Sequence, residues 1–69
     1  MTNSTDILRK NLKFYRQQKG YTQEKLSELS GISTDYISEI ERGKKTPSFK
    51  RFFRIAEILD IEPYLLLKP

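Results

Sequence analysis

The sequence predicts an all-α domain, a compact bundle of five short helices. Three observations lead there. Apolar residues recur at spacings of three and four, the period of a helix, and nowhere alternate with period two. Gly20, Gly31 and Gly43 each follow such a stretch, where helices commonly end. Ser, Thr or Pro stands where each stretch begins. With 69 residues there is room for one domain, residues 1–69, with an ordered core over about 5–67.

The first helix spans residues 5–19, with Leu8, Leu12 and Tyr15 on one stripe. Ser4 or Thr5 caps its start and Gly20 ends it. Thr22 caps a second helix over about Gln23–Ser30, with Leu26 and Leu29 apolar and Gly31 as its stop. Ser33 caps a third, whose inner stripe is Ile37 and Ile40 and whose end is Gly43. Asp35 sits in its first turn, where an acid complements the helix dipole. Ser48 caps a fourth, with Phe52, Ile55, Ala56 and Leu59 at helical spacing. Pro63 opens a short fifth, at a position where no amide hydrogen is needed.

Composition narrows the function. The chain has neither Cys nor His, which removes disulfides, thiolate metal sites and the commonest general base. No phosphate-binding Gly loop or clustered carboxylates offer an enzyme site, and no cofactor is expected. The longest apolar run, "YLLL", is far short of a membrane span, and no signal peptide is visible. An intracellular, cytoplasmic protein is the simplest expectation. The net charge is +4, unevenly placed. Arg9, Lys10, Lys13, Arg16 and Lys19 form one basic block, and Lys44, Lys45, Lys50, Arg51 and Arg54 form another. The stretch between is net acidic. Such edges suit a polyanion, or are solvated helix faces.

Residues 23–42 carry the most specific pattern. Two helices joined by a short turn containing Gly form a helix-turn-helix. Leu26 and Ile37 supply apolar residues to facing helices, and Ser27 is small where they approach. Gly31 stands at the turn, Ile32 follows as a buried turn residue, and Ile40 completes the inner face. An unspecialised αα-hairpin is the alternative.

"YTQEKLSELSGISTDYISEIERGKKTPS" resembles the lambda-repressor-like, Cro/C1-type (XRE) family of DNA-binding domains. The resemblance runs from about Leu8 to Leu67 and is most specific at Thr22-Gln23, Ser27, Gly31, Ser33, "ISEIERG" and Pro47-Ser48. It implies a five-helix fold and sequence-specific, repressor-type control of transcription through a two-fold operator on double-stranded DNA. In a helix-turn-helix the second helix enters the major groove. Here that helix covers about residues 33–42, and its outward positions are Thr34, Asp35, Ser38 and Glu39, the candidates for base contacts. Ser and Thr pair with several bases, and an acid accepts from cytosine N4. Asp35 has a second reading as a dipole partner, and Glu39 as a partner for Arg42 or Lys44.

Candidate phosphate contacts are Gln23, Ser33, Tyr36, Arg42, Lys44 and Lys45, with Lys50 and Arg51 extending the edge. Tyr36 would act through its hydroxyl, or pack on the surface. The resemblance also implies an ion pair between Arg16 and Glu41, joining the first helix to the recognition helix. In the tail, Leu65, Leu66 and Leu67 point in three directions, and one core accepts at most two. Tyr64, Leu66 and Leu67 are therefore candidates for a homodimer interface, with a frayed end that leaves one leucine exposed as the alternative. No small-molecule ligand or membrane is expected, nor is there room for a separate sensing domain. The rival reading is an antitoxin-like or adaptor module that binds protein through the same fold, with weak DNA binding.

Overall fold

The computed structural model describes residues 3–69, so residues 1 and 2 of the expected domain lie outside it. Four α-helices run in chain order: α1 Ser4–Gln18, α2 Gln23–Ser30, α3 Thr34–Glu41 and α4 Phe49–Leu59. A single 3-10 turn, Pro63–Leu66, follows in place of the expected fifth helix. The all-α class stands, with four α-helices and no strand among the described residues; the count of five is corrected. The turn has a physical reason. Within four residues the chain must bury Leu66 against both α1 and α4, and Asn11 of α1 takes the carbonyls at its end. Tighter i→i+3 bonds, Leu65 N–H to Glu62 O and Leu67 N–H to Tyr64 O, suit so short a piece.

Local chemistry fixes most boundaries. The hydroxyls of Thr22, Ser33 and Ser48 accept the N–H three residues on, from Lys25, Tyr36 and Arg51. At α1 the cap is Asn3 rather than Ser4 or Thr5; its Oδ1 accepts from Asp6 N–H at 2.9 Å. Gly31 ends α2 in the left-handed conformation, φ 76°, which side chains with a Cβ resist. Gly43 does so after α3, and Arg9 of α1 lies over it: an added Cβ would sit 2.9 Å from the Arg9 Cδ.

The core joins every element. Leu8 and Leu12 come from α1, Leu26 from α2, Ile32 from the turn, and Ile37 and Ile40 from α3. Ile55, Ala56 and Leu59 come from α4, and Leu66 from the 3-10 turn. Each fully buried Leu or Ile contributes about 1.5–3 kcal/mol, a large share of what holds so small a domain. α3 is held between α1 and α2, while α4 packs on α2 and on the tail. Leu66 is only 1% exposed within its own chain. Its assignment to a dimer interface is therefore corrected: it is core, and a partner could not reach it.

Two polar ties run across the fold. Arg54 of α4 donates from Nε to the Ser30 carbonyl (3.3 Å) and from Nη2 to the Leu29 carbonyl (3.5 Å). It thereby serves the last carbonyls of α2, which lack helical partners. The Asn11 amide donates to the carbonyls of Leu65, Leu66 and Lys68 at 2.8–3.1 Å. It fastens the tail to α1.

Candidate nucleic-acid interface

α3 is the element whose seating decides the site. Ile37 and Ile40 are buried completely or nearly so, which turns the opposite side of the helix outward. Thr34 and Ser38 are half-buried one turn apart on that side. Asp35 is exposed and Glu39 half-buried, also one turn apart. The four form the outer face of a helix only eight residues long. Asp35 lies in the first turn, where it complements the dipole, and no ion pair holds it among the described residues. Glu39 is placed against Lys45, Oε1 to Nζ 3.7 Å, and not against Arg42 or Lys44. That pair is well exposed and contributes under about 1 kcal/mol.

A buried network sets the angle of α3. Arg16 of α1 donates from Nε to Glu41 Oε2 at 2.7 Å and from Nη2 to Oε1 at 3.0 Å. Its Nη1 donates to the Tyr21 carbonyl at 2.7 Å. The two side chains are 10% and 5% exposed. The hydrogen-bonded Glu41 carboxylate raises the Arg16 pKa above its ordinary value; burial opposes this, and the charges of Glu41 and Glu24 add to the rise. Gln23 completes the network, Nε2 donating to Glu41 Oε1 at 3.1 Å. Its amide is thus turned inward, and what α2 offers at its start is backbone N–H at a helix N-terminus.

Cations gather past the end of α3. Arg42 is its exposed C-cap and Lys44 is exposed. The N–H groups of Gly43 and Lys44 return to the carbonyls of Ile40 and Glu39, so the loop leaves at a fixed angle. Lys45 and Arg51 lie near the Tyr36 ring, 4.6 and 4.7 Å from its centroid. The Tyr36 hydroxyl accepts from Ser48 N–H at 3.3 Å, and the Ser33 hydroxyl caps α3. Sequence reasoning placed Arg9 in a basic block but missed its seat over Gly43, where it also pairs with Asp6 (Nε to Oδ1 3.1 Å), and it missed the inward turn of Gln23. Neither carries a local signal. In the tail, Tyr64 is exposed, and Leu67, 46% exposed, lines an apolar groove with Leu8, Pro47, Phe49 and Phe52.

A helix-turn-helix family model matches residues 12–66 of the chain. The HTH-type transcriptional regulator SinR of Bacillus subtilis is 34% identical over 62 residues, 88% of this chain and 56% of its own. The chain thus spans about half the length of that relative. The crystal structure of the hypothetical transcription factor NHTF from Neisseria superposes with a TM-score of 0.92 at 28% identity, covering 97% of this chain and 77% of that one. The restriction-modification controller protein C.AhdI from Aeromonas hydrophila superposes at 0.83 with 37% identity, covering 87% of this chain and 91% of that one.

Proposed function

We propose that this chain, which belongs to the Cro/C1-type (XRE) helix-turn-helix family, is a sequence-specific double-stranded DNA-binding domain of a transcriptional regulator. The observation that carries the reading is the outer face of α3, seated by a buried ion pair and followed at its end by Arg42, Lys44 and Lys45. α3 enters the major groove, where Thr34, Asp35, Ser38 and Glu39 meet base edges. Arg42, Lys44, Lys45, Ser33 and the amino end of α2 at Gln23 grip phosphates. Regulation is of the repressor type, in the cytoplasm, and residues 1–69 act as one domain. No catalysis, cofactor or small-molecule ligand is part of the reading.

A homodimer through Tyr64 and Leu67 places two recognition helices about 34 Å apart on one face of DNA. The deciding experiment is selection of bound sequences from a random duplex library. A two-fold symmetric consensus supports DNA recognition and the dimer together; no enrichment removes sequence-specific recognition.

Affinity for duplex DNA falls as salt rises, with a log–log slope of about −0.9 for each phosphate contact. Replacing Lys44 and Lys45 by Ala flattens that slope while preserving sequence preference. A slope equal to that of the unaltered protein takes the loop out of the interface. Thr34→Ala and Ser38→Ala each shift base preference, by about 1–3 kcal/mol for every well-formed base interaction removed. A uniform weakening across all sequences would instead make the residue a phosphate contact.

One observation favours the rival, protein-binding reading: Phe49 is 82% exposed and stacks with the exposed Phe53 on α4. Binding to random duplex DNA that ignores salt would support that reading and oppose ours.

A further inference from the structure

We infer that Tyr36 is a positioning residue, whose ring holds Lys45 and Arg51 as a two-cation clamp for phosphates beside the recognition helix. The inference rests on the DNA-binding reading. It replaces direct contact through the Tyr36 hydroxyl with an indirect role, and it gives Arg51 a defined task.

One side chain gathers three points of the chain. The ring of Tyr36, in the first turn of α3, is half-buried against the core. Lys45 Nζ, in the loop after α3, lies 4.6 Å from the ring centroid, and Arg51 Cζ, in the first turn of α4, lies 4.7 Å from it. The phenol oxygen is turned to the α4 cap, where it accepts from Ser48 N–H. Arg51 is held at both ends, its backbone N–H by the Ser48 hydroxyl and its guanidinium by the ring.

The energetics favour an anion as the ligand of this pair. Each cation is attracted by the ring quadrupole, but the two repel each other. Glu39 offsets Lys45 from 3.7 Å, whereas Arg51 has no carboxylate partner among the described residues. Positive charge is therefore concentrated at the edge of α3 in excess of its local compensation. Long cationic side chains lose much rotamer freedom when they grip a ligand. The ring removes part of that freedom beforehand, so less is lost when a phosphate arrives.

The test is a potassium chloride series on random-sequence duplex DNA. Tyr36→Phe keeps the ring and retains the full slope. Tyr36→Leu reduces the slope magnitude by up to about 1.8, about 0.9 for each phosphate contact. In a Lys45→Ala, Arg51→Ala background the same change has no further effect. Without DNA, ring-current shifts of the Lys45 and Arg51 side-chain protons vanish in Tyr36→Leu.

Equal losses in the Phe and Leu variants would put the hydroxyl itself on DNA and overturn the inference. So would a full slope in the Lys45→Ala, Arg51→Ala protein, whose changes are at the surface and leave the core intact even if Tyr36→Leu fails to fold. An unaltered protein without salt-dependent DNA binding removes the DNA-binding reading and the clamp together. A normal slope in both the unaltered protein and folded Tyr36→Leu removes the clamp alone.

Discussion

Glu41→Ala lowers the stability of this domain by about 3–5 kcal/mol, because it leaves a buried guanidinium without its carboxylate. Glu39→Ala, two residues away, changes stability by under about 1 kcal/mol. Glu41 accepts two hydrogen bonds from Arg16 and one from Gln23 in a site where both ionic side chains are nearly closed to solvent. Alanine removes all three, and the Tyr21 carbonyl alone remains to Arg16. Glu39 meets only Lys45, in a pair open to water. For a domain of this size each kcal/mol moves the melting temperature by about 4–8 °C, so thermal melts separate the two variants widely. Comparable melting temperatures would sink the proposed role of the pair. A second measurement isolates its cause: replacing Arg16 and Glu41 together by Met and Leu is less destabilising than Glu41→Ala, because no charge is left buried alone, although the Tyr21 carbonyl and the Gln23 amide lose their partners.

What the sequence made legible was local. Thr22, Ser33 and Ser48 are read as caps because each bonds an N–H only three residues on. The inner stripe of α3 follows from the three-residue spacing of Ile37 and Ile40. Long-range polar ties carry no such signal. Asn11 reaches carbonyls more than fifty residues away, and Arg54, which charge alone places in a basic block, reaches back to α2. Gln23 is a candidate phosphate contact through resemblance; its partner Glu41 stands eighteen residues on, and nothing between them marks the link. Arg16 and Glu41 are paired through resemblance, not spacing. At the amino end, Asn3, Ser4 and Thr5 are all competent caps, and side-chain geometry, which selects Asn3, is not written in residue type.

The tail shows how finely one residue of register divides roles, and it yields the second large effect. Leu66→Ala lowers stability by about 2–5 kcal/mol, the range for truncating a buried Leu. Leu66 is enclosed by α1 and α4, and the Asn11 amide holds the carbonyls around it, so the surroundings can collapse only partly into the space left. Leu67→Asp, one residue on, changes stability by about 0.5 kcal/mol or less, as at most exposed positions. It nevertheless places a charge in the apolar groove beside Phe49, which disfavours burial of that surface by a second copy. Melting curves therefore single out Leu66, while sedimentation singles out Leu67. If Leu66→Ala melts with the unaltered protein, the tail is not part of the core. If the unaltered protein is monomeric both free and on DNA, Leu67 has no partner and the homodimer is wrong. Either result leaves the other statement standing, because Leu66 ends the 3-10 turn with its side chain closed in the core, whereas Leu67, the residue that follows the turn, is 46% exposed.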